Sequence, residues 1–423
     1  MMIDECRVAV SKKVEVLVLG AGPAGCAAAI MAARMGANTL LVDSASVPGG
    51  ISTAGMMSHY TGRVDSKLYE EVLMRMASKN EGNLKGIRTV TIDPIGHTLT
   101  WIELLEEAGA EMLFYTMACE AVMEEDCVKG VIIQNKSGRS VVLADVVIDA
   151  TGDGDIAASA GVEFTMGRES DGFMQPATLM FKVAGVDTKR AVFPGSFETK
   201  VETEKGEIQA LAKEKLPHPA GHVLLYRGTQ DGIVTVNMTN AIRIDGTDAY
   251  SLTKAHIICY KQIPAIVSFL REYVPGYEEC YAISTASLVG IRETRHFEGE
   301  YKLTEEDILA KRQFEDWVVS GASFNFDVHN MTGGGLDKTG VQKEFPKNNE
   351  YTIPYRCLIP KRIDGMLLAG RNISGTHMAH SNYRAMPICL AMGEAAGVAA
   401  ALAVKEGCNL RCIEAKEIQK HIR

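Results

Sequence analysis

The chain has 423 residues, 46% of them hydrophobic and 23% charged, enough for roughly two or three domains with sizeable cores. A formal net charge of −9 and the lack of any Lys/Arg-rich run make nucleic acid and anionic membrane poor partners. The start, MMIDECRVAVSKK, has no apolar signal core, and no stretch reads as a membrane span; ten scattered cysteines without a Cys-x-x-Cys pair suggest reduced thiols in a cytoplasmic protein and argue against a zinc or iron–sulfur site.

In chain order, Val14, Val16 and Val18 belong to an apolar run that reads as a buried parallel strand. Gly20-Ala21-Gly22-Pro23-Ala24-Gly25 follows with G-x-G-x-x-G spacing. Gly20 permits the tight turn, Gly22 lets backbone approach a pyrophosphate, and Gly25 lets the next helix pack close to the strand. That helix runs to about Arg34 and presents its N-terminus to an anion. A second strand, Asn38 to Val42, closes on Asp43 and Ser44. Asp43 lies about 20 residues after the glycines, where an acid accepts hydrogen bonds from an adenosine ribose. A loop of small residues follows, including Gly49, Gly50 and Thr53.

Leu68 to Lys79 and Thr98 to Ala108 read as amphipathic helices, the second ended by Gly109. Strands are expected at Ala110 to Thr116, Glu120 to Met123, Val128 to Gln134, Ser140 to Leu143 and Asp145 to Asp149, the last leading into Ala150-Thr151-Gly152-Asp153. From about Phe164 to Lys347 extended segments alternate with helices such as Leu252 to Tyr273. The αβ texture then returns in a strand reaching Gly370-Arg371-Asn372, and Pro387 opens a long helix of small residues, ended near Gly407. The fold class is therefore α/β: a Rossmann-type dinucleotide domain built from residues 1–164 and 348–423, with an α+β substrate domain inserted at 165–347.

The Gly49-Gly50 loop, VVIDATGDGDIAA (146–158), LVGIRETRHFEGEYKLTEEDIL (288–309), YTIPYRCLIPKRIDGMLLAGRNISGTHMAHS (351–381) and MPICLAMGEAAGVAAALAV (386–404) together resemble the FAD-dependent oxidoreductases of glutathione-reductase-like fold. More closely, they resemble the family grouped with heterodisulfide reductase A-like proteins, over about Val14 to Val404. The resemblance implies FAD, held by Gly20, Gly22, Ala24 and Gly25 at the pyrophosphate and by Asp43 and Ser44 at the ribose. It implies Gly49, Gly50 and Thr53 near the flavin, and Ala118 beside the adenine. Ala150, Thr151, Gly152 and Asp153 would close over the adenosine half, and Gly370, Arg371 and Asn372 would lie by the ribityl chain. Many related flavoproteins carry an aspartate where Arg371 or Asn372 falls, which leaves that contact open. Ala385 and Met386 would place a helix N-terminus at the flavin pyrimidine ring.

A second nucleotide motif is not visible: Gly333-Gly334-Gly335 lacks a preceding strand and a clear following helix. NAD(P)H, where used, is thus expected to dock transiently as reductant. The implied reaction is hydride exchange between flavin N5 and a small organic, anionic substrate. The alternative is an electron-transfer protein partnered with an iron–sulfur protein, and a homodimer is the default assembly.

Three residues are the catalytic candidates. His377, in GTHMAHS, is placed to give or take a proton. Arg292, in GIRETR, offers a forked donor to an anionic oxygen, or an ion pair between domains. His59, in MMSHYTG, follows the Gly-Gly loop. His380 and Arg384 are weaker candidates; Arg295, Arg356 and Cys357 read as structural.

Overall fold

The computed structural model describes residues 8–79, 91–340 and 350–422. In chain order these form β1 (Val10–Leu19), α1 (Pro23–Arg34), β2 (Thr39–Val42), β3 (Arg63–Asp65), α2 (Lys67–Lys79), α3 (Pro94–Ala108), β4 (Glu111–Leu113), β5 (Met117–Glu124), β6 (Cys127–Asn135), β7 (Gly138–Asp149), α4 (Asp155–Ser159) and β8 (Phe164–Met166). The middle of the chain adds β9 (Phe181–Ala184), β10 (Glu202–Thr203), β11 (Gly206–Glu207), α5 (Ile208–Lys215), β12 (Leu225–Arg227), β13 (Val234–Val236), α6 (Ala249–Tyr273), β14 (Tyr281–Thr285), β15 (Arg295–Phe297), α7 (Glu305–Leu309) and β16 (Trp317–Ser323). The chain closes with β17 (Tyr351–Pro354), β18 (Met366–Leu368), α8 (His377–Tyr383), α9 (Met386–Glu406) and α10 (Ala415–Ile422).

The principal sheet runs β4-β2-β1-β7-β6-β5, with β18 also on β7. β1 pairs in parallel with β2 and β7, and β18 pairs in parallel with the last residues of β7. On the edge away from β1, β7 serves two neighbours: residues 138–143 pair antiparallel with β6, and Val147–Asp149 pair with β18. The two strands expected at Ser140–Leu143 and Asp145–Asp149 are thus one long strand. α3 likewise starts at Pro94 rather than Thr98, because the Asp93 side chain caps it by accepting from Gly96 N at 2.8 Å.

α1 and α9 pack directly on each other over this sheet. Small residues permit it: a Cβ at Gly393 or Gly397 would overlap the carbonyl oxygen of Ala24 or Ala28. α9 is long and apolar enough to cross a membrane by length and composition, and it is buried almost throughout as a core helix.

β12-β13-β9-β14 form a second sheet. It shares a separate core with α5 and α6, including Phe181, Val234, Ile266 and Phe269. The division expected at 165–347 also assigns Phe297–Phe326 to the inserted part. These side chains, with Leu303, Phe314 and Val319, pack instead in the first core. The reason is β16, which pairs with β17 and β3 against α9 and α10. Position 347 lies outside the described residues, as does Cys6. Gly333–Gly335 packs on another turn rather than around a nucleotide: a Cβ at Gly334 would meet Gly221 backbone at 2.7 Å, and Asn240 Nδ2 donates to Gly333 O at 2.9 Å.

Candidate active site

A cavity of about 1450 Å³ opens between the two sheets. One half is glycine-rich. Gly20 has φ +89°, and a Cβ there would overlap the Ala150 carbonyl, so the turn tolerates no side chain. A Cβ at Gly25 would overlap the Gly20 carbonyl, which fixes how closely α1 approaches β1. Gly22 is different: nothing lies within 4 Å of where its Cβ would be. It caps α1 with no side-chain hydrogen bond, and no acidic residue stands in the first turn. α9 repeats the arrangement, with Ala385 at its N-cap, no side-chain cap and Pro387 in its first turn. Two uncapped helix N-termini therefore face one cavity, each offering unsatisfied N–H groups and a positive dipole end.

Asp43 closes this half, accepting from Ala21 N and, at 2.6 Å, from Ala45 N. On the opposite wall Asp149, buried at the end of β7, accepts from Thr151 Oγ1 at 2.7 Å and Ala157 N at 2.8 Å. It thereby shapes the Ala150–Asp153 turn. Arg371 Nη2 donates to Asp153 Oδ1 at 3.1 Å, and its Nη1 is buried without a protein partner.

The other half is lined by polar and aromatic side chains: His59, Phe197, Tyr226, Arg292, Asp327, His329 and Arg384. Arg384 Nη2 donates to Asp327 Oδ2 at 2.8 Å, and His329 Nε2 lies 3.4 Å from the same oxygen. Burial alone would raise Asp327; the Arg384 and Arg292 charges, with the His329 hydrogen bond, instead hold its carboxyl well below the usual carboxylate range. Arg292 donates Nη1 to Pro176 O at 2.5 Å. Burial, and then the nearby Arg384 charge, lower its pKa to about 10, so it stays a cation at neutral pH. Two guanidiniums thus share one carboxylate, because burial and the Arg292 charge lower His329 to about 4 and leave it neutral. The His59 and Tyr226 rings pack at 4.5 Å between centroids, tilted by 59°. Burial lowers His59 to about 4 and raises Tyr226 to about 12, so at neutral pH one is a neutral imidazole and the other an intact phenol.

The profile of the family described as FAD dependent oxidoreductase matches residues 15–422. The chain belongs to that family. Its cofactor is FAD. No curated protein matches the chain. Among solved structures, the p-nitrophenol 4-monooxygenase PnpA from Pseudomonas putida DLL-E4 is similar at 11% identity and TM-score 0.53, covering 97% of this chain and 84% of its own. A geranylgeranyl bacteriochlorophyll reductase-like protein from Thermoplasma acidophilum is similar at 15% identity and TM-score 0.51, covering 97% and 82%. The flavin-dependent brominase Bmp2 gives 10% and 0.52, covering 97% and 83%. At these identities the likeness is one of fold, and the neighbours show the flavoenzyme fold around a mixed α/β core.

The glycine half suits FAD: open space at Gly22, two uncapped helix ends and the unpartnered Arg371 nitrogen face one cavity. Of the residues expected at the cofactor, Gly20, Gly22, Ala24, Asp43, Ser44, Gly50, Ala118, Ala150, Thr151, Gly152, Asp153, Gly370, Arg371, Ala385 and Met386 line the cavity. Gly25, Gly49, Thr53 and Asn372 do not. Gly49 N donates to Ala21 O and Thr53 Oγ1 to Pro48 O, each at 2.7 Å, so both shape the loop. Asn372 is fully buried and donates Nδ2 to Asp149 O at 2.9 Å.

Among the catalytic candidates, His59 and Arg292 line the cavity and His377 does not. Thr376 caps α8 and turns His377 inward, where its Nδ1 meets Glu293 Oε1 at 2.5 Å. His377 is therefore withdrawn as the proton-transfer group. Arg295 is tied to Asp155 at 2.9 Å and Arg356 to Asp316 at 2.7 Å, both as structural ion pairs. Cys357 is fully buried, and burial pushes its thiol up, which removes it as a reactive thiol. Tyr226, Asp327 and His329 went unrecognised in the sequence; none sits in a motif, and they reach the cavity from two separate segments, Tyr226 from β12 and the other two from the stretch after β16.

Proposed function

We propose that this flavoenzyme oxidises or reduces a small organic acid whose carboxylate binds against Arg292 and Arg384. The observation that carries this reading is the charge balance of the non-glycine half: two arginines, one carboxylate and neutral histidines. A lone excess cation in a partly desolvated cavity favours an anionic ligand, and forked guanidiniums suit a carboxylate. The finer placement beside heterodisulfide reductase A-like proteins rests on the sequence stretches alone.

Gly22 and the start of α1 would receive the cofactor pyrophosphate, Asp43 the ribose, and Arg371 the phosphate or ribityl oxygens through its free Nη1. Bound FAD supplies two-electron redox chemistry. The chain's own residues do the rest. Arg292 and Arg384 orient the substrate. Phe197 and the His59–Tyr226 ring pair exclude water from its apolar part. Tyr226 keeps its phenol proton and His59 stays a neutral ring through the neutral range, so the pair is suited to donate and accept hydrogen bonds at the reacting part of the substrate.

Exchanging Arg292 for Gln tests the reading. A carboxylate ligand should then bind at least about tenfold more weakly, the loss of one charged hydrogen bond, with the flavin spectrum retained. Unchanged binding would remove Arg292 from the substrate site.

A further inference from the structure

Behind the arginines lies a polar cluster that the redox chemistry does not use. Glu293 lies just before β15 and His296, three residues on, lies within it; His377 and His380 stand three apart at the start of α8. All four are buried: Glu293 and His380 are 1% exposed, His296 2% and His377 1%. Glu293 Oε1 meets His296 Nε2 at 2.8 Å and His377 Nδ1 at 2.5 Å, and Oε2 accepts from Gln175 N at 3.0 Å. One ligating atom each from Glu293, His296 and His380 falls within 4.8 Å of the others.

Hydrogen bonding within the chain does not account for this cluster. His296 Nδ1, His377 Nε2 and His380 Nδ1 are each buried without a partner. The His380 ring packs edge-on against His296 at 4.8 Å and Tyr383 at 5.4 Å. An orphaned buried nitrogen is destabilising, and a polar network left half satisfied is worse than an apolar one. A cation ligated by His296 and His380 gives these two imidazoles a partner, while His377 Nε2 stays outside it. Two imidazoles and one carboxylate suit zinc, whereas calcium and magnesium take oxygen ligands. The lack of paired cysteines bears only on thiolate sites.

We propose that Glu293, His296 and His380 bind a structural zinc ion, with His377 holding Glu293 in orientation through its Nδ1–H. Water fills the fourth tetrahedral position. The ion is redox-inert and takes no electrons from the flavin. Its place explains its use: Glu293 adjoins Arg292, and His380 lies one turn before Arg384. The metal would pin both anion-binding arginines to one buried point.

The test is metal analysis of the flavin-loaded protein, stripped with a chelator, reloaded with Zn²⁺ and desalted. About one equivalent of zinc per chain is expected, as for three protein ligands and one water. H380Q and H296Q should each lose at least about tenfold in bound zinc, with an unchanged flavin spectrum. Wild-type protein that retains no zinc overturns the proposal. So does zinc bound equally by both variants, which would place it elsewhere on the chain. Should both variants lose their flavin, Co²⁺-loaded wild type decides: d–d bands of a tetrahedral nitrogen–oxygen site to the red of the flavin absorption support the proposal, and none contradict it.

Discussion

Arg384 grips Asp327 at 2.8 Å, and Arg292 lies close enough for its charge to act on both. Asp327 is thus the internal competitor of any anionic ligand. Asp327→Asn should tighten binding of small carboxylates about tenfold, because repulsion is removed and Arg384 is released. It should also destabilise the fold by about 2–4 kcal/mol, since two buried cations lose their counter-charge. Ligand titration and denaturant melts read the two effects; weaker carboxylate binding would contradict the arrangement.

Gly22 and Gly25 separate cofactor space from packing space. Gly22 has φ −72°, which alanine adopts freely, and its Cβ would enter open cavity. Gly22→Ala should leave the apo protein's melting temperature unchanged and weaken FAD binding at least about tenfold. Gly25→Ala should destabilise the apo protein itself, because its Cβ overlaps Gly20 backbone. Thermal melts with and without FAD separate the two; equal FAD affinity in Gly22→Ala would move the pyrophosphate away from α1.

Glu394, inside α9, hydrogen-bonds Ser66 Oγ at 2.6 Å, just before α2. Burial raises its pKa from 4.5 to about 7. The folded state therefore holds a proton that the unfolded chain releases above its own pKa of 4.5. This group's stabilisation is full below that value and is lost as pH rises to about 7, a change of up to about 3 kcal/mol. Glu394→Gln should match the wild type at acid pH and exceed it at pH values above about 7. Denaturant midpoints of the two proteins across that range check it; a constant difference would mean Glu394 titrates alike in the folded and unfolded chain.

Tyr226→Phe should lower turnover of a carboxylate substrate about 10²-fold or more with little change in its binding, the pattern of a lost hydrogen-bond donor at the reacting part of the substrate. His59→Gln should do the same. A rise in the Michaelis constant alone would reassign the pair to packing. His377→Ala should act through stability and the placement of Arg292, because Glu293 loses a buried partner.

The cofactor half was readable because its chemistry is local. A strand, a Gly-x-Gly turn, a helix and Asp43 follow one another within one βαβ unit, and their spacing carries the geometry. The Ala150–Asp153 turn and Gly370-Arg371 are likewise continuous with strands β7 and β18. The substrate half was not readable in the same way. Arg292, Asp327 and Arg384 come from separate stretches of chain, and nothing in the sequence near Asp327 or His329 marks them as partners of an arginine. His377 misled for a related reason: it lies just before a helix that opens on the cavity, yet the Thr376 cap aims it at Glu293. Asn372 shares the cofactor turn with Arg371 and points the other way, into the core.

The most direct measurement is the visible difference spectrum of the FAD-loaded protein titrated with a small carboxylate and, separately, with its amide. A saturable shift of the flavin bands by the carboxylate, absent with the amide and weakened in Arg292→Gln, is the expected result. It would place an anion site against the flavin. A flavin spectrum that responds equally to both, or to neither, would contradict an acid-binding flavoenzyme.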